Sequence, residues 1–266
     1  MSSQYRVAVL LCGEYRQWQR AAPYNFRFFE HHFENVDWFF ATWSKHGQTR
    51  WCGIDLVNFD SEVLDNDIIA TFTDKNLVNY KILPMGMMPS YNMSFYHRAL
   101  LAKTCNILKR RYELDNDFIY DQVIEMRPDL YLPLETYDIA ICKEFQFTMP
   151  MMCAFNDIPW CGDNAFQTTS FTNDIMTSRV SYNKIDNFNR FTGISEMSNW
   201  SPGTCVSTST FDVHWLLSDF IMHRRLIFID NPLPQVPIRA NFPADDLDNH
   251  SMVSLHKFNR EFTDSK

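Results

Sequence analysis

The chain has 266 residues, of which 45% are hydrophobic and 15% aromatic, a load that suits one large α/β domain with a bulky core. Its formal net charge of -8 argues against a general nucleic-acid binder, because such binding needs basic side chains to neutralise phosphates. The 7 glycines form no GxGxxG or GxxxxGKS/T pattern, and the 7 cysteines form no CxxC pair, so the usual dinucleotide, P-loop, zinc and disulfide frameworks are all unsupported and a reducing compartment fits.

Tyr5 to Cys12, YRVAVLLC, is apolar nearly throughout and predicts a first strand buried on both faces of a parallel sheet. Its apolar run is too short for a signal h-region or a membrane span, which leads us to expect a soluble, unprocessed protein without a membrane span. The turn Gly13-Glu14-Tyr15-Arg16 has two readings: backbone donors and a cation suited to a diphosphate, or a plain glycine turn with a solvated arginine. Pro23 predicts the first turn of a helix through YNFRFFEHHF. The adjacent His31 and His32 point apart on such a helix and do not make a metal pair.

Val36 to Thr42 predicts a second buried strand, ending at Trp43 beside the same edge. Positions 48 to 67 read as a loop with a short helix, and Leu77 to Leu83 as a third strand stopped by Pro84. The methionine-rich segment 85–93 either fills irregular space or forms a lid over a site. Ser94 to Tyr112 is the clearest helix, with Leu100, Leu101, Cys105, Leu108 and Tyr112 as its apolar stripe. His97 and Arg98 lie in its first turn, either facing a ligand or solvated, while the basic run Lys109 to Arg111 sits near its end, where cations complement the helix dipole.

This helix leads by a βαβ crossover into YDQVIEMRPDLYLPL, positions 120–134. Side chains alternate along a strand, so Glu125, Arg127 and Asp129 are expected on one face, and Pro128 and Pro133 end the pairing. Such a charged tip lies where ligands sit in open α/β sheets; equally, Arg127 and Asp129 could simply pair with each other. Beyond Glu135 the pattern turns to shorter strands. Glu144 to Met149 predicts a half-buried strand, and Asn173 or Asp174 a helix cap. Asp163 opens a polar loop, in which it either positions a hydroxyl or a metal or makes an Asx turn. Phe211 to Arg225 predicts another helix, Leu226 to Ile229 a strand, and the last two dozen residues a polar tail.

Three stretches together, VAVLLCGEYRQW, VDWFFATWS and the helix-to-strand unit ending IEMRPDLYLP, resemble glycosyltransferase-like proteins of phages, large DNA viruses and bacterial polysaccharide loci. The resemblance rests on Gly13 and Arg16 in the first turn, on Asp37, Phe39 and Trp43 in the second strand, and on Arg127 and Asp129 in the third. It covers about the first half of the chain.

What the resemblance implies is a GT-A-like, Rossmann-like α/β fold with a mainly parallel sheet and helices on both faces. It implies a single domain over 1–266, with 1–134 as the nucleotide-sugar half, 135–240 as the acceptor half and 241–266 as a tail. It also implies transfer of a sugar from a nucleotide-sugar donor to a glycan or other acceptor, in the cytoplasm, or the host cytoplasm if the protein is viral. Donor contacts then fall to Gly13, Arg16, Trp43 and Arg127, joined by Arg98 for its place in the first turn of the helix, and catalytic roles to Asp129 and Asp163. In GT-A enzymes a DxD motif holds a divalent cation, Mn2+ or Mg2+, against the diphosphate. Here Arg127 stands in place of the first carboxylate and leaves Asp129 as the single candidate ligand. Two further readings remain open: a noncatalytic carbohydrate- or nucleotide-binding protein on a degenerate GT-A fold, and another α/β transferase such as a sulfotransferase, against which the missing P-loop counts.

Overall fold

The computed structural model describes residues 3–15, 17–45, 50–51, 54–55, 62–84, 94–132, 139–148, 151–155, 158–161, 165–181, 220–221, 224–229 and 236–237. In chain order its elements are β1 (Ser3–Cys12), α1 (Trp18–His32), β2 (Phe33–Trp43), β3 (Arg50–Trp51), β4 (Ile54–Asp55), α2 (Asp65–Thr71), β5 (Leu77–Leu83), α3 (Ser94–Asp115) and β6 (Gln122–Met126). They continue as β7 (Leu130–Tyr131), β8 (Gln146–Thr148), β9 (Met151–Phe155), β10 (Ile158–Cys161), β11 (Ala165–Thr168), α4 (Ser170–Thr177), β12 (Ile227–Phe228) and β13 (Val236–Pro237).

Seven strands make one sheet in the order β12-β8-β11-β6-β1-β2-β5. Its β6-β1-β2-β5 portion is parallel throughout, while β11 is antiparallel to both β6 and β8. The expected placement of Val7, Phe39, Ile82 and Ile124 in one mainly parallel sheet is what the structure has. Alternation along β1 divides the core. Val7, Val9 and Leu11 pack with Trp18, Ala21, Ala22, Phe26 and Phe29 of α1, whereas Ala8, Leu10 and Cys12 pack with Leu101, Ala102 and Cys105 of α3. Strands covered by helices on both faces can be apolar at every position, which is why β1 reads as an unbroken run.

Several expectations need correction. The first helix starts at Trp18, so Pro23 lies inside it instead of opening it. Burial of Trp18, Ala21 and Ala22 against the sheet carries the helix upstream, and exposed Pro23 sacrifices one main-chain bond there. The cap of α4 is Thr169, whose hydroxyl accepts the Thr172 N–H at 3.2 Å; Asn173 is instead buried within the helix. The stripe expected for α3 is too narrow, because Ala99, Ala102, Asn106, Lys109 and Glu113 are also buried. Lys109, expected near a helix end where a cation complements the dipole, is fully enclosed: its ammonium donates to Ser170 Oγ and lies 3.7 Å from both Glu113 and Asp174.

The methionine-rich segment 85–93, most of 211–225 and the C-terminal tail lie outside the described residues, as do the His97 side chain, Arg16 and Asp163. Among the described residues Cys12, Cys105 and Cys142 are buried free thiols, and no helix is long and apolar enough to cross a membrane.

Candidate functional site at the carboxyl edge of the sheet

The connection after β1 leads through α1 to β2 on one side, whereas β5 returns over the opposite face through α3 to place β6 on the other side of β1. The carboxyl ends of β1 and β6 therefore flank the topological switch point of the sheet, the position at which open α/β sheets leave a crevice for ligands.

Two local features meet there. Leu11 pairs with Met126, and this register carried two residues further brings Gly13 beside Pro128. A β-carbon on Gly13 would lie 2.8 Å from Pro128 Cδ, so only glycine lets the two strand tips approach this closely. Past Met126 the chain turns, with the Leu130 N–H donating to the Arg127 carbonyl at 3.4 Å and Pro128 fixing φ within the turn. Across this turn Arg127 Nε donates to Asp129 Oδ1 at 2.8 Å and Nη2 to Oδ2 at 2.5 Å, a two-pronged pair. The Asp129 side chain is 3% exposed and that of Arg127 18%.

Strand alternation predicts Glu125 on the same face as this pair, and the structure separates it. Glu125 is fully buried in β6 and accepts a hydrogen bond from Arg179, which follows α4. Arg98, near the start of α3, brings Nη2 within 3.9 Å of the same Glu125 oxygen. Both guanidiniums lie over the Phe166 ring at 5.5 Å, and Phe166 is the register partner of Glu125 on β11. Burial pushes the Cys12 thiol well above its ordinary range, and the neighbouring Cys105 and the Glu125 carboxylate add to that, against an opposing pull from Arg98. This cluster ties β6 and β11 to α3 and α4 beneath the edge.

Of the residues singled out by sequence, the structure brings Gly13, Arg127 and Asp129 together at the switch point. Trp43 is 1% exposed and packs in the α3-side core. Asp37, part of the resemblance, lies at the opposite, amino edge, where it accepts from the Tyr120 hydroxyl at 2.5 Å and from Asn76. It helps line a polar groove of about 490 Å³ there, with Arg6, Tyr112 and Phe118. Tyr15, within the Gly13 turn, is buried and donates its hydroxyl to the Asp67 carbonyl at 2.9 Å, which fastens the turn to α2.

Sequence reasoning missed Asn25. It is a fully buried polar residue of α1 whose amide donates to the Leu130 carbonyl at 2.8 Å and accepts the Leu132 N–H at 3.0 Å. The available signal was weak: Asn25 and Arg27 alternate with Phe26 and Phe28 in sequence, and only the structure shows that Asn25 shares the buried side of the helix.

No protein-family model matches the chain, and no curated protein matches it in sequence. Solved structures that it resembles include the glycosyltransferase GlyE of Streptococcus pneumoniae TIGR4 in its apo form, at 8% identity and a TM-score of 0.37. A second structure of GlyE matches at 8% identity and a TM-score of 0.38; in both cases the match covers 86% of this chain and 46% of that one, so the chain spans about half the length of GlyE. A glycosyltransferase involved in the glycosylation of the major capsid of PBCV-1 matches at 8% identity and a TM-score of 0.36, over 96% of this chain and 99% of that one. The class that the chain's own topology defines is mixed α/β, with a seven-stranded, mostly parallel sheet.

Proposed function

We propose that this protein is a glycosyltransferase that moves a sugar from a nucleotide-sugar donor to a glycan or other acceptor, with the donor diphosphate lying over the carboxyl ends of β1 and β6. The observation that carries this reading is the meeting of the Gly13 turn with the Arg127–Asp129 pair at the switch point of the sheet. The resemblance of the same segments to glycosyltransferase-like proteins supports it. In such a transfer the acceptor oxygen bonds to the anomeric carbon, the bond from that carbon to the diphosphate breaks, and the acceptor proton passes to a base. The leaving diphosphate gains negative charge as that bond breaks, and a guanidinium fixed nearby stabilises it without reorganising at the moment of reaction. Asp129, by holding the Nε–Nη2 edge of the Arg127 fork, orients it.

A divalent cation of the GT-A kind fits this tip poorly. Both Asp129 oxygens accept from Arg127, and among the described residues no group of three or more His, Cys, Asp or Glu is placed to hold a metal. We therefore assign neutralisation of the diphosphate to Arg127. The same occupied carboxylate favours a second reading, in which the chain binds a nucleotide or carbohydrate without transferring it.

Thermal melts of the full chain with a panel of UDP-, GDP- and dTDP-linked sugars, with EDTA and with Mn2+, test the reading, because a ligand of the folded state raises apparent stability. A rise that persists in EDTA, with sugar release or transfer from the same donor, is expected. A rise without turnover would favour the binding protein, and no rise with any donor would refute the transferase reading.

A further inference from the structure

We infer that Asn25 of α1 is a positioning residue for the Arg127–Asp129 pair, an inference that rests on reading that tip as the donor site. Asn25 bonds the carbonyl of Leu130 and the N–H of Leu132, the two main-chain groups that a neighbouring strand would bond at this spacing. On the far side of the segment β13 pairs antiparallel with β7, Val236 opposite Tyr131 and Pro237 opposite Leu130. The two-residue strand β7 is thus held between a helix side chain and a strand from the distant C-terminal part of the chain. Asp129 is the residue just before it, and the turn back to Arg127 closes through the Leu130 N–H. The place of the carboxylate is therefore set by the clamp on Leu130.

Retention of an amide here has a physical reason. A leucine at position 25 would suit the aromatic surroundings, yet it would leave a buried carbonyl and a buried N–H without their partner, and such groups are costly. An aspartate would keep the acceptor for Leu132 and lose the donor to Leu130. The tip is consequently sensitive to position 25 although Asn25 touches neither Arg127 nor Asp129 among the contacts described.

The test uses full-length protein and three variants: Asn25→Ala, Asn25→Asp as a near-isosteric alternative should the alanine fail to fold, and Phe29→Leu as a core control on the same helix. The readout is solvent exchange of the Arg127 Nε proton and the Leu132 amide proton by NMR, together with donor affinity over the same nucleotide-sugar panel. We expect both protons to exchange at least tenfold faster in the Asn25 variants and donor affinity to fall at least tenfold, while Phe29→Leu lowers the melting temperature without either change. Arg127 Nε exchange at the parent rate in both Asn25 variants, or equal acceleration in Phe29→Leu, would overturn the inference. If the parent binds no donor, the donor-site reading fails on its own, and faster Arg127 Nε exchange confined to the Asn25 variants would still support the clamp.

Discussion

Gly13 and Pro128 touch: a methyl group on the glycine would lie 2.8 Å from the proline ring. The proline ring is tied to the backbone and cannot swing aside, so the close approach of β1 and β6 tips depends on that missing side chain. Gly13→Ala is expected to push the tips apart and to cost about 1–3 kcal/mol, the usual range for overpacking a well-packed place. Urea unfolding measures this, and an unchanged midpoint would show that the turn relaxes freely.

Arg127→Lys keeps the charge and loses the fork. If the planar guanidinium grips both Asp129 and the diphosphate, turnover with a competent donor should fall at least about tenfold, or roughly 1.4 kcal/mol in the transition state. Steady-state kinetics on the parent and the variant check this; equal kcat/KM would make the pair a structural one.

Glu125 is a buried counter-charge, and its removal should be felt in stability. Glu125→Gln leaves the enclosed Arg179 guanidinium without the carboxylate it binds, and removing one partner of a buried pair costs about 3–5 kcal/mol. Denaturant titration reads the loss. A change below about 1 kcal/mol would place this pair with weak surface bridges.

Lys109 gives the chain a pH signature. Burial holds its ammonium at about 8 against an ordinary 10.5, outweighing the upward pull of Glu113 and Asp174. The folded-state value is the lower one, so between them the unfolded chain binds the extra proton, and this group's contribution to stability rises as pH climbs from about 8 to 10.5. Below that window the ammonium is charged in both states and the contribution is flat. Unfolding free energies of the parent and Lys109→Met across the window isolate the effect, since other groups titrate alike in both. The parent should gain on the variant as pH rises, and a constant difference would contradict the assignment.

The frame of the fold was legible because it is written locally. β1, β2, β5 and β6 are apolar runs whose neighbours in sequence stop them, and α3 is long enough for its periodicity to show. The tip was legible in part: Arg127 and Asp129 stand two residues apart, so their pairing was one of the two readings from the start. What stayed hidden depends on partners far along the chain. Glu125 looked like part of the tip because Arg179, 54 residues on, cannot be seen in alternation along one strand. The burial of Lys109 stayed hidden because Ser170 lies 61 residues away, and the role of Asn25 because Leu130 lies 105 away. Trp43 shows the same limit from the other side: the strand end that places it next to the edge does not say that its ring turns into the core.

Where a donor binds decides between the two edges of the sheet. An NMR titration of labelled full-length protein with UDP-, GDP- and dTDP-linked sugars, in the presence of EDTA, reads both edges of the sheet at once. Donor binding at the carboxyl edge predicts saturable shifts of the Gly13 and Leu130 amides and of the Arg127 Nε proton with at least one donor, while the Asp37 and Asn76 amides at the amino edge stay in place. Shifts centred on Asp37 and Asn76, or none at Gly13, Leu130 and Arg127 with any donor, would contradict it.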